Sequence, residues 1–123
     1  MRLVLDSDPK VYTVRHYAPG EILIGEQRLT RPCIVSAHRV ITDWDVSTAA
    51  ALSLEGLEPL LALQPAIVLL GALDVQQPLE RTLRRSLQQR GIALEYMNLG
   101  AACRTYNILV QEERRVAAGL FPL

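Results

Sequence analysis

The chain has 123 residues, half of them hydrophobic, which is one domain by size with enough apolar content for a core without disulfide or metal staples. Its formal net charge is +0 and aromatics make up 5%, which argues against a nucleic-acid binder or an anionic-membrane binder. Cys33 and Cys103 fit no metal-ligand spacing.

The first forty residues read as β structure. Val11–Tyr17 partly alternates, as a half-buried strand should, and Ala18-Pro19-Gly20 reads as a turn. Ile22-Leu23-Ile24 is a short apolar strand, followed by a hairpin turn at Gly25-Glu26-Gln27-Arg28. Cys33–Ser36 is the next strand, and Val40-Ile41 begins another extended piece that ends at Asp43-Trp44-Asp45. Those two carboxylates offer acid–base or cation chemistry only with a third partner; the competing reading is a solvated loop with a tryptophan lid. Trp44 reads as an exposed interaction residue or a satellite of the core.

Ser53 is a candidate N-cap, Glu55 suits a positive first turn, and Leu54, Leu57, Leu60 and Leu61 recur on one helical face. Pro59 limits that helix to a short piece or kinks it, and Pro65 marks the exit. Ala66–Leu70 is continuously apolar, as a strand covered on both faces is, and Gly71 ends the run. Pro78 suits a first helical turn; Leu79, Leu83 and Leu87 share a face, and Gly91 closes the helix. Its arginines, Arg81, Arg84, Arg85 and Arg90, read as a solvated exterior. Ile92–Met97 is the next strand, parallel to the previous one through a right-handed crossover. A helix over about 101–111 follows, then a polar turn at Glu112-Glu113-Arg114-Arg115, and a last strand from Val116 to Phe121.

Parallel neighbours place the Gly71 and Gly100 loops at one sheet edge, where α/β folds hold ligands. The candidate ligand-binding crevice is therefore Gly71, Asn98, Gly100, Ala101, Cys103 and Arg104, with helix amides and a guanidinium to meet a small anion. Small residues there also suit a helix that simply packs closely on its sheet. Cys103 near a helix start and beside Arg104 has the setting of a depressed thiol pKa. It lacks an evident base, and a buried core cysteine is the competing reading. No catalytic residue, metal or cofactor is assigned. The N-terminus, Met1–Asp6, lacks a signal-peptide run, so a reducing, bacterial cytoplasm is expected, with both thiols free and no transmembrane segment.

Gly100-Ala101-Ala102-Cys103-Arg104-Thr105-Tyr106-Asn107-Ile108-Leu109, followed by Arg114-Arg115-Val116-Ala117-Ala118, resembles the family of mitochondrial respiratory complex I assembly factor 3. That family also holds adipogenesis-associated proteins and bacterial and archaeal members. Ile41-Thr42-Asp43-Trp44 and Leu69-Leu70-Gly71 add to the resemblance, which runs from about Tyr12 to Leu120. It implies a three-layer α/β fold, a mixed central β-sheet flanked by helices, with a smaller β element from the N-terminal half. It implies no catalytic residues. It implies a non-enzymatic binding or assembly-type module with a protein partner, acting on membrane-associated respiratory or secretion machinery. The alternative is a small-molecule or anion-binding protein, an enzyme included, that uses the Gly71–Gly100 crevice.

Overall fold

The computed structural model describes residues 11–123; the N-terminal stretch that holds Asp6 and Asp8 lies outside them. Eight strands and three helices follow in the order β1 (Val14–Ala18), β2 (Glu21–Ile24), β3 (Gln27–Leu29), β4 (Cys33–Ser36), β5 (Val40–Ile41), α1 (Leu54–Leu61), β6 (Ile67–Ala72), α2 (Arg81–Gln89), β7 (Ala93–Asn98), α3 (Leu99–Gln111) and β8 (Val116–Phe121). The central sheet is mixed, ordered β5-β4-β8-β6-β7. β6 runs parallel to both β7 and β8, and β4 runs antiparallel to β8. The expected parallel pairing of β6 with β7 and the mixed sheet are therefore present. β1-β2-β3 forms a separate antiparallel meander, the smaller β element.

Strand alternation divides the core into two layers. Val68 and Leu70 of β6, Ala117 and Phe121 of β8, and Leu94 of β7 face α1, α2 and Trp44. Leu69, Val116, Ala118 and Leu120 face the opposite way, toward α3 and the meander. β8 is buried at every position, as a central strand covered on both faces should be.

Several boundaries differ from the sequence expectation for local reasons. β1 starts at Val14 and carries a bulge between Val14 and His16, so Arg15 and His16 are both exposed and simple alternation fails. The hairpin turn is confined to Gly25-Glu26, and Gln27-Arg28 already belong to β3. Pro78 does not open α2: Glu80 caps it, its carboxylate accepting the Thr82 amide at 3.1 Å and the Thr82 hydroxyl. Leu83 and Leu87 are fully buried, whereas Leu79 precedes the helix and is half-buried. Pro59 stays inside α1, which ends after eight residues. Ser53 caps α1 as expected, accepting the Gly56 amide at 3.1 Å. Among the described residues no helix is long and apolar enough to cross a membrane.

Trp44 belongs to the core and is not a lid. It is 4% exposed, and its indole N–H donates to the Gly56 carbonyl at 2.8 Å. Its ring packs at 5.2 Å from Phe121, tilted by 50°. A Cβ on Gly119 of β8 would lie 2.8 Å from its Cη2 atom, so the glycine makes room for the indole.

Candidate functional site

Gly71 does not end its strand. It lies within β6, paired with Met97 of β7 and Leu120 of β8. A Cβ there would stand 2.5 Å from the Ala102 Cβ and 3.4 Å from the Leu99 Cα. The missing side chain lets α3 settle onto the sheet, and the loop begins only after Ala72. No loop separates β7 from α3 either. Asn98 is the last residue of β7 and the N-cap of α3, its Oδ1 accepting the Ala101 amide at 2.9 Å. Gly100 is thus a helical residue, and a Cβ on it would meet the Tyr17 ring at 2.9 Å.

The parallel strands bring Gly71 and Asn98 to the same carboxyl-terminal edge, and Gly100 and Ala101 follow in the first turn of α3. Their surroundings are filled. Cys103 is fully buried among β4, β8 and α3 side chains. Burial pushes its thiol up to about 12, against the opposing pull of Arg104, so it is a protonated core group rather than a thiolate nucleophile. Cys33 shares that core, and its thiol is also raised to about 12, by burial first and by Cys103 second. Both cysteines are free, as expected. Arg104 is exposed and donates to the Tyr17 hydroxyl at 2.5 Å, with its guanidinium carbon 6.0 Å from the ring centroid. Its partner is a phenol on β1.

The neighbouring motif residues also face inward, onto the meander. Tyr106 is fully buried and its hydroxyl donates to the Tyr12 carbonyl at 2.8 Å. Asn107 accepts the Val14 amide at 2.8 Å and donates to the Val14 carbonyl at 2.9 Å. Asn107 is thus the clamp on β1. Its signal in the sequence was an amide side chain on the buried side of an amphipathic helix, which must find backbone partners.

Two concave surfaces lie away from this motif. The larger is an open groove of about 1230 Å³ beneath the segment from Asp43 to Gly56. Asp43 and Asp45 are exposed at its mouth, on either side of the buried Trp44. The smaller, about 420 Å³, lies at the amino-terminal ends of β6 and β8 and is lined by Arg39, Gln64, Glu113, Arg114 and Arg115 among others. The sequence reading treated Glu113, Arg114 and Arg115 as part of a polar turn.

The matching family model covers residues 14–121 and is described as a protein of unknown function, DUF498/DUF598. The chain belongs to this family. Over 123 residues it is 32% identical to the Xenopus tropicalis protein named NADH dehydrogenase [ubiquinone] 1 alpha subcomplex assembly factor 3. That alignment covers 98% of this chain and 66% of the relative, just under two thirds of its length. The Francisella tularensis protein named 13 kDa major membrane protein is 29% identical, over 84% of this chain and 85% of that one. A crystal structure of a Bordetella parapertussis protein superposes with a TM-score of 0.84 at 30% identity, covering 95% of this chain and 100% of that chain. The resemblance read from the α3 motif is thereby established.

Proposed function

We propose that this chain is a non-enzymatic, assembly-type module of the bacterial cytoplasm that binds a protein partner belonging to membrane-associated respiratory or secretion machinery. The observation that carries the reading is the alignment of 98% of the chain with a protein named as an assembly factor. The membrane association draws on the name of the Francisella relative. Two free, buried cysteines suit a reducing compartment.

The chemistry of the motif points the same way. Asn98, Arg104, Tyr106 and Asn107 each have an internal partner, and Cys103 is protonated in the core. The alternative, a small molecule or anion bound at Gly71, Asn98, Gly100, Ala101, Cys103 and Arg104, must compete with packing that already fills the Gly71–Ala102 contact. Beside that edge, the loop after β6 presents Leu73 at 44% and Val75 at 38% exposure. The Tyr96 hydroxyl pins this loop through the Asp74 and Gln77 carbonyls, at 3.4 and 3.1 Å. Exposed apolar side chains on a loop whose backbone is tied to Tyr96 suit a protein contact.

Affinity purification from the native host, with mass spectrometry of the bound proteins, tests the proposal. A subunit or assembly intermediate of a membrane complex should co-purify with the wild-type chain. It should be lost from a folded Leu73→Lys/Val75→Lys variant. Recovery of no such protein, under both mild detergent and cross-linking, would sink the reading.

A further inference from the structure

The smaller groove lies at the end of the sheet opposite the α3 motif, and its residues serve none of the contacts described for that motif. Its volume of about 420 Å³ falls within the range of about 300–1,000 Å³ usual for small-molecule clefts. Val110 and Val116, on the α3 side of the sheet, give it an apolar floor, with Val11, Ala37 and Leu63 half-buried around it. The rim is cationic. Arg39, Arg114 and Arg115 line it and are exposed, against a single lining carboxylate, Glu113.

These guanidiniums are not neutralised by ion pairing within the described residues. The ion pairs there join Arg28 to Glu21 and Arg90 to Glu58, away from the groove. Arg115 gives one N–H to the Gln64 carbonyl at 3.0 Å and keeps further donors. The negative end of α3 points toward this region, but its last carbonyls are occupied. Val110 accepts the Glu113 amide and Leu109 accepts the Arg114 amide.

The backbone singles out the same place. Among the described residues, the non-glycine positions with left-handed φ are Gln64 at 58° and Glu113 at 63°, and both line this groove. Each follows a helix end, where glycine would be free of strain, as Gly91 is after α2. Strained non-glycine residues gather at ligand sites.

We propose that this groove binds a small amphiphilic anion, with a carboxylate or phosphate head held by Arg39, Arg114 and Arg115 and an apolar chain laid between the half-buried Val11 and Ala37, over Val110 and Val116. A bare inorganic anion would leave the floor unused, and a neutral apolar molecule would leave the rim unpaired. This assignment does not rest on the assembly reading.

The test is an amide-resolved NMR titration of the full chain with octanoate below its micellar concentration, in parallel with octanol and inorganic phosphate. Octanoate should move the amides of residues 36–39, 63–64 and 110–117. It should bind about tenfold or more tightly than either control, and Arg114→Ala should weaken it by about tenfold, the loss of one charge-assisted contact. Arg39→Ala serves as a second variant should the first fail to fold. Equal binding of octanol or of phosphate, shifts confined to another surface, or full affinity in both folded variants would each overturn the proposal. So would co-flotation with phosphatidylglycerol vesicles in the absence of octanoate binding, which would make the surface a bilayer contact.

Discussion

Asn107 holds Val14 by both polar groups of its main chain, accepting the amide at 2.8 Å and donating to the carbonyl at 2.9 Å. A side-chain amide thus does for β1 what a neighbouring strand would do. The pair links two residues 93 positions apart and fastens the meander to α3.

Asn107→Leu should therefore destabilise the chain by about 2 kcal/mol, because two hydrogen bonds are lost and the Val14 groups are left partly buried without partners. Hydrogen exchange at the Val14 amide should accelerate well beyond that of β6 amides. Equal acceleration throughout would mean that the clamp contributes only to global stability.

Gly71→Ala should cost about 1–3 kcal/mol through overpacking, since the new methyl would face the Ala102 Cβ at 2.5 Å. Ala102→Gly in the same chain should recover most of that loss. A double-mutant cycle from denaturant melts measures the coupling, and strictly additive effects would contradict the contact.

The thiols predict a pH dependence at the alkaline side. Cys33 and Cys103 are both raised from 9.0 to about 12, and burial raises the Tyr106 phenol as well. The folded state then holds these protons after the unfolded chain has lost them. Their contribution to stability is complete below about pH 9 and is lost as pH rises toward 12. Denaturant midpoints should fall through that interval. Neither thiol should react with a disulfide reagent at pH 8 without denaturant, whereas both should react after unfolding.

Helices α2 and α3 end in the same hydrogen-bonded turn. Gly91 donates to Gln88 and Ile92 to Leu87; Glu113 donates to Val110 and Arg114 to Leu109. The left-handed residue is glycine in one and glutamate in the other. Glu113→Gly should stabilise the chain by up to about 1 kcal/mol, and Gly91→Ala should destabilise it by about 1 kcal/mol. Opposite shifts in melting temperature check both.

The order of elements was legible where hydrophobic pattern and tertiary setting agree. Val68, Leu69 and Leu70 need burial on both sides, and β6 obtains it from α1 and α2 on one face and α3 on the other. The closing glycine of α2 was legible because left-handed φ favours glycine. The end of α3 was read only as a polar turn, because Glu113 occupies the equivalent position. Gly71 and Gly100 looked like loop formers, and their role, admitting Ala102 and the Tyr17 ring, depends on residues distant in sequence. Trp44 was ambiguous for the same reason: its pocket is made by Gly119 and Phe121, which enter only with the final strand.

That final strand, β8, occupies the middle of the sheet between β4 and β6. A ribosome makes the centre of this sheet after both of its flanks. Until Phe121 has left the exit tunnel, β4 and β6 each present an unpaired edge in the growing chain, and Trp44 has no floor to rest on. The nascent chain therefore depends on a holding chaperone or on fast synthesis more than a sheet assembled in order along the chain would.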